Sequence, residues 1–153
     1  MRSGLIAAGV AVASLGPAAC GGAANKRAPH PPGAGSAPVR VYRATLSGAA
    51  NRPPGAPNGT GAAVIALHTG PSVCWRFAHL RGFNRATTAT IHLGAAGVPG
   101  KTVLALSRGH RLRHQGCVRI GAALSKAIEL APDNYYVTIS STRYPAGAVR
   151  AQL

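Results

Sequence analysis

Short segments in which apolar and polar residues alternate, each ended by glycine, proline or asparagine, constrain this chain more than any other feature. A period of two puts successive side chains on opposite faces of an extended backbone, so such segments must pair into sheets with one face turned inward. The clearest case is the final stretch from Tyr135. Val137 and Ile139 alternate there with Thr138 and Ser140, Pro145 and Gly147 mark a turn, and Val149, Ala151 and Leu153 alternate with Arg150 and Gln152, which is the pattern of a β-hairpin.

Extended segments are read upstream at 39–46, 59–67, 73–80, 87–93, 101–106 and 116–120, with the same alternation at 39–46 and 73–80. In the third of these, Val73, Trp75, Phe77 and His79 share one face and Cys74, Arg76, Ala78 and Leu80 the other, so Trp75 and Phe77 are expected to supply much of the core. Leu124, Ala127, Ile128 and Ala131 instead follow helical spacing, and Pro132-Asp133-Asn134 stops the run, which predicts one short helix over about 121–131. The fold class expected is therefore all-β: an antiparallel, Greek-key-like sandwich of about 7–8 strands with one short helix. The composition fits, since Gly 20 and Pro 12 in 153 residues supply abundant turns, while 46% hydrophobic residues exclude wholesale disorder.

The first 38 residues do not share this pattern. Met1-Arg2-Ser3 gives a positive start, Gly4–Leu15 is apolar and uncharged, and small residues lead to Cys20, which together read as an export signal over 1–20. Ala18-Ala19-Cys20-Gly21 looks like a bacterial lipoprotein signal, in which Cys20 becomes the first mature residue and carries lipid; Pro17 stands where that pattern commonly has Leu. Ordinary cleavage after an Ala-x-Ala-like site is the alternative. Residues 21–38 are rich in Gly, Ala and Pro and read as a tether, leaving 39–153 as the domain. The expected location is extracytoplasmic, either anchored to a membrane by lipid or secreted.

Three cysteines in an exported chain leave one over after pairing. With Cys20 assigned to lipid, Cys74 and Cys117 remain as a pair, and Trp75 is expected to pack against their disulfide. Two free thiols serving a metal or redox site are the alternative, without a Cys-x-x-Cys spacing to support it.

Lys and Arg number 17 against two acids, Glu129 and Asp133, giving a net charge of +15. Such a surface attracts anionic lipid or cell-wall polymer by electrostatics. Nucleic acid is not expected, because the basic residues are scattered singly and no recognised nucleic-acid motif accompanies them. Two carboxylates close together in sequence also leave no acid/base pair and no Ser-His-Asp set, so no catalytic residue is assigned. The Gly94–Gly100 loop lacks the Gly-Lys-Ser/Thr ending of a phosphate cradle and is read as turn geometry; no cofactor is expected. His110 and His114 share a basic loop that Gly109 and Gly116 keep from being helical.

Four stretches together resemble the CHRD domain family, first described in chordin and found in many secreted bacterial proteins. They are Leu46-Ser47-Gly48-Ala49 with Pro53-Pro54, Cys74-Trp75 with Gly116-Cys117, Ile91-His92 through Gly100, and the closing hairpin with Tyr135, Tyr136, Tyr144, Pro145, Gly147 and Leu153. The resemblance covers 39–153 and implies a sandwich with that hairpin at its edge. It attaches no reaction, and it implies contacts with a protein partner at the cell surface.

This chain departs from the family at three places. Arg52 stands where an acidic residue usually precedes the proline pair, and Thr90 and Ser140 stand where the family commonly has histidines, so that only His92 of three is kept. The residues at this position are read as a polar patch in which His92 hydrogen-bonds Thr90, Thr138 and Ser140. The function expected is a non-catalytic surface binding or structural module. The alternative is a metal-binding protein or metal-dependent enzyme using His92 with His68 or His79.

Overall fold

A computed structural model describes residues 38–153. The export signal, Cys20 and the tether lie outside the described residues, apart from Pro38, which opens the first strand.

Eight antiparallel strands form one continuous sheet: β1 (Pro38–Ser47), β2 (Thr60–His68), β3 (Ser72–Arg81), β4 (Ala86–Leu93), β5 (Lys101–Ser107), β6 (Gln115–Arg119), β7 (Tyr135–Ser141) and β8 (Val149–Gln152). Their order is β5-β4-β7-β8-β1-β2-β3-β6. The segment entering β6 bridges back to the other edge, with the Leu112 N–H donating to the Ala86 carbonyl at 3.0 Å and the Arg113 N–H to the Ser107 hydroxyl at 2.9 Å. The sheet thus curls nearly shut, and its opposed walls face each other across one core as in a sandwich. The expected all-β class, strand number and single helix hold. The closing hairpin is not at an edge, however. β7 pairs with β4, and β8 pairs with β7 and meets β1 at Ser47–Arg150, so the hairpin lies mid-sheet and links the two halves.

Inward residues alternate as the period requires. Ile65, Leu67, Val73, Trp75, Phe77, Ile91, Val137, Ile139 and Val149 are all buried. Helix α1 (Ala122–Leu130) begins without a side-chain cap and is too short to be stable alone; Ile128, fully buried in the core, and the Tyr42 hydroxyl donating to the Ile128 carbonyl at 3.4 Å attach it to the sheet.

Two expectations about β3 need correction. Thr60 pairs with Arg81 but Ala62 with Ala78, so β3 carries one extra residue. His79 takes it up with φ 53, a β-bulge that turns its imidazole to solvent and brings Leu80 against the core instead. Trp75, likewise, does not pack on the disulfide. Cys74 and Cys117 are direct cross-strand partners, bridged, on the outer face. Residue 75 must face the other way, and its ring lies over Gly116, where any Cβ would meet the indole Cζ2 at 2.6 Å.

Candidate functional site

The residues singled out by sequence lie on the outer face of β4, β7 and β8. Thr90 and His92 alternate with buried Ala89 and Ile91, Tyr136, Thr138 and Ser140 with buried Tyr135, Val137 and Ile139, and Arg150 and Gln152 with buried Val149 and Ala151. Register then aligns them: Thr90 opposes Thr138, which opposes Arg150, and His92 opposes Tyr136, which opposes Gln152.

Across these rows the planar groups stack. The His92 and Tyr136 rings lie nearly parallel, 4° apart with centroids at 4.9 Å, and the Arg150 guanidinium sits 3.4 Å from the Tyr136 centroid. The Gly94–Gly100 loop folds over the stack. The Arg150 guanidinium donates to the Ala95 carbonyl at 2.7 Å and the Val98 carbonyl at 3.0 Å, and the Tyr136 hydroxyl accepts from the Gly100 N–H at 2.9 Å. Gln152 extends the brace, its amide donating to the carbonyls of Gly94 at 2.9 Å and Asp133 at 2.6 Å. Turn geometry is therefore only part of what this loop provides, because its carbonyls are the acceptors for a cation.

His92 is held on both sides. Nδ1 lies 3.1 Å from the Gly100 carbonyl, which can only accept, so Nδ1 carries the proton, and Nε2 accepts from the Thr90 hydroxyl at 2.8 Å. Burial holds its pKa below the ordinary 6.5; the Gly100 carbonyl opposes that shift and the Arg150 charge adds to it. His92 is therefore neutral near pH 7, with both ring nitrogens engaged.

The bonding differs from the expected patch. Thr90 is joined to His92, but Thr138 Oγ1 is buried with no hydrogen-bond partner, and Ser140 does not reach the imidazole. The hydroxyl of Thr102 on β5 stands 3.3 Å from Nδ1 instead.

Sequence reasoning missed Arg150. Although 2% exposed, it has no carboxylate partner, its acceptors being carbonyls and the Gln152 side chain, and burial pulls its pKa downward while Tyr136 opposes the shift. Its alternation with Val149 and Ala151 signalled only that it leaves the core. The covering loop lies more than fifty residues away in sequence, and no local signal reports it.

A second constellation joins the opening motif to the hairpin. The Asn51 side-chain amide donates to the Gly147 carbonyl at 2.7 Å, and the Ala56 N–H donates to the Ala148 carbonyl at 2.9 Å. Gly147 has φ 133, and a Cβ there would strike the Asn51 amide, so this contact requires glycine. The Leu-Ser-Gly and Pro-Pro stretch is thus a structural clasp. Arg52 projects outward from it, with its guanidinium on the Ala49 and Asn51 carbonyls at 2.7 and 2.8 Å.

The other histidines are dispersed. His68 ends β2 and His79 occupies the β3 bulge, while β7, β8 and β1 intervene between β4 and β2. Among the described residues no group of three or more His, Cys, Asp or Glu is placed to hold a metal ion. Of the two acids, Glu129 contacts Lys126 at 3.3 Å and Arg40 at 3.8 Å. It also lines a shallow 200 Å³ hollow between α1 and the β2–β3 turn. Among the described residues no helix is long and apolar enough to cross a membrane.

In comparisons with known proteins, the family model for the CHRD domain matches residues 42–153, taking in the clasp, the disulfide strands, the stacked face and the hairpin. No curated protein and no solved structure matches the chain.

Proposed function

Since the chain belongs to the CHRD domain family, we propose that it is a non-catalytic module of the cell exterior, binding or structural in role, that meets a protein partner or anionic envelope components. The observation that carries this reading is the engagement of the imidazole and the guanidinium on the stacked face. Both His92 nitrogens and the Arg150 guanidinium are bonded to their own chain, so the face acts as a brace for the 94–100 loop. General acid/base work needs a titratable group aimed at a reacting atom, and neither Glu129, tied to Lys126, nor the exposed Asp133 is placed beside His92.

The surface supports binding by charge. With a net of +15 and two acids in the chain, the exterior is cationic, and its attraction for anions falls as salt rises. Export, followed either by attachment through Cys20 or by secretion, completes the proposal. Crosslinking of the full chain on intact cells, followed by identification of what is captured, tests it: a reproducible surface protein or wall polymer, released by salt, is expected. Stoichiometric zinc or copper that survives dialysis and is lost in His92→Ala overturns the reading in favour of a metal protein.

A further inference from the structure

Among the described residues, the outer face of β1-β2-β3-β6 carries no acid and its side chains reach solvent. We propose that the exterior of β1-β2-β3-β6 is the docking surface of the module and that its occupant is an acidic protein face; this rests on the binding role proposed above.

Register sets the pattern. Arg43 on β1 opposes Val64 on β2, which opposes Arg76 on β3, and that row ends at Gln115 on β6. Strand spacing puts the two arginine backbones roughly 10 Å apart with an apolar side chain between them. Both arginines are exposed, neither makes an ion pair among the described residues, and Arg119 adds a third exposed cation at the far end of β6. The neighbouring rows are short and apolar, with Ala66 beside the Cys74–Cys117 bridge on one side and Ala62 beside Ala78 on the other. The disulfide fixes β6 to β3 and so constrains this wall before any partner arrives.

Three kinds of anionic partner differ in what they ask of such a wall. A bilayer surface rewards long apolar side chains that reach below the headgroups. On this face the largest apolar side chains are valines, of which Val41 is 45% exposed, so nothing penetrates. A phosphate polymer would engage the guanidiniums yet leave the Val64 and alanine surface against water. An acidic protein face satisfies both, with carboxylates taken by the planar forks of Arg43 and Arg76 and a small apolar side chain seated over Val64.

The test uses the full chain and a random glutamate–tyrosine copolymer as the probe, at about 150 mM salt. The double variant Arg43→Glu with Arg76→Glu is compared with Arg108→Glu with Arg111→Glu, exposed positions between β5 and β6 that give the same change in net charge. The face variant is expected to lose about tenfold in affinity and the loop variant little, with the milder pair Arg43→Gln and Arg76→Gln falling between. Unchanged near-ultraviolet circular dichroism confirms that each variant is folded. Equal losses in the face and loop variants overturn the proposed surface while leaving a general cationic role standing. Binding to phosphatidylglycerol vesicles or polyphosphate that depends on Arg43 and Arg76, without copolymer binding, overturns the choice of occupant. No binding of the wild-type chain to any anionic probe overturns this surface together with the electrostatic part of the functional reading.

Discussion

Arg150 carries a full charge at 2% exposure without an acid beside it, and its stability there depends on neutral acceptors and an aromatic face. Hydrogen bonds to a charged donor are worth about 1.5–3 kcal/mol each, less where the freed acceptor can return to water. Ala95 and Val98 are in an exposed loop, so Arg150→Met, which keeps the apolar stem, is expected to lower stability by about 2–3 kcal/mol in urea unfolding. Faster amide exchange at 94–100 should accompany the loss. His92 gives the same site a pH dependence. Its folded pKa lies below the ordinary 6.5, so below that value the unfolded chain binds a proton that the folded chain resists. The stability His92 contributes is complete above about 6.5 and declines as pH falls toward the lower folded value. Thermal midpoints measured between pH 7.5 and 5 should therefore drop in the wild type and drop less in His92→Gln; parallel curves for the two proteins would count against it.

At the scale of elements, the Cys74–Cys117 bridge closes a loop of sequence separation 43. The chain-entropy relation assigns such a crosslink about 4 kcal/mol, so the double variant Cys74→Ala with Cys117→Ala should lose about that much, read as a lowered urea midpoint. Loss of less than about 1 kcal/mol would show that β3 and β6 hold together without it. The strands themselves were legible to within a residue or two, from Pro38–Ser47 to Val149–Gln152, because glycine, proline and asparagine bound them and, in β1, β3, β7 and β8, burial on one face adds a visible alternation. What stayed illegible depends on contacts between distant segments. The bulge at His79 shows only in the pairing of β3 with β2, and the seat of the hairpin between β4 and β1 is a matter of sheet order. In the candidate site, the pairing of Thr90 with His92 followed from strand alternation. The burial of Arg150 under the 94–100 loop and the orphan hydroxyl of Thr138 had no counterpart in local pattern.

For the whole molecule, a net charge of +15 opposes compaction, since the arginines repel one another across a small domain. Raising sodium chloride from about 10 to 150 mM shortens the Debye length from about 30 to 8 Å. The thermal midpoint should rise by several degrees over that range, and a flat or falling midpoint would show that self-repulsion is not limiting. Sheet order has a different consequence. β8 is last among the described strands, yet it stands between β7 and β1, so without it the strand order divides into two runs, β5-β4-β7 and β1-β2-β3-β6, linked through the segment entering β6. In synthesis, or in passage through a channel amino end first, the strands of both runs therefore emerge before the strand that joins them. Pairing of β8 joins the two runs of strands and puts the Arg150 cation under its loop, so the strand that closes the barrel is also the one that buries its charge.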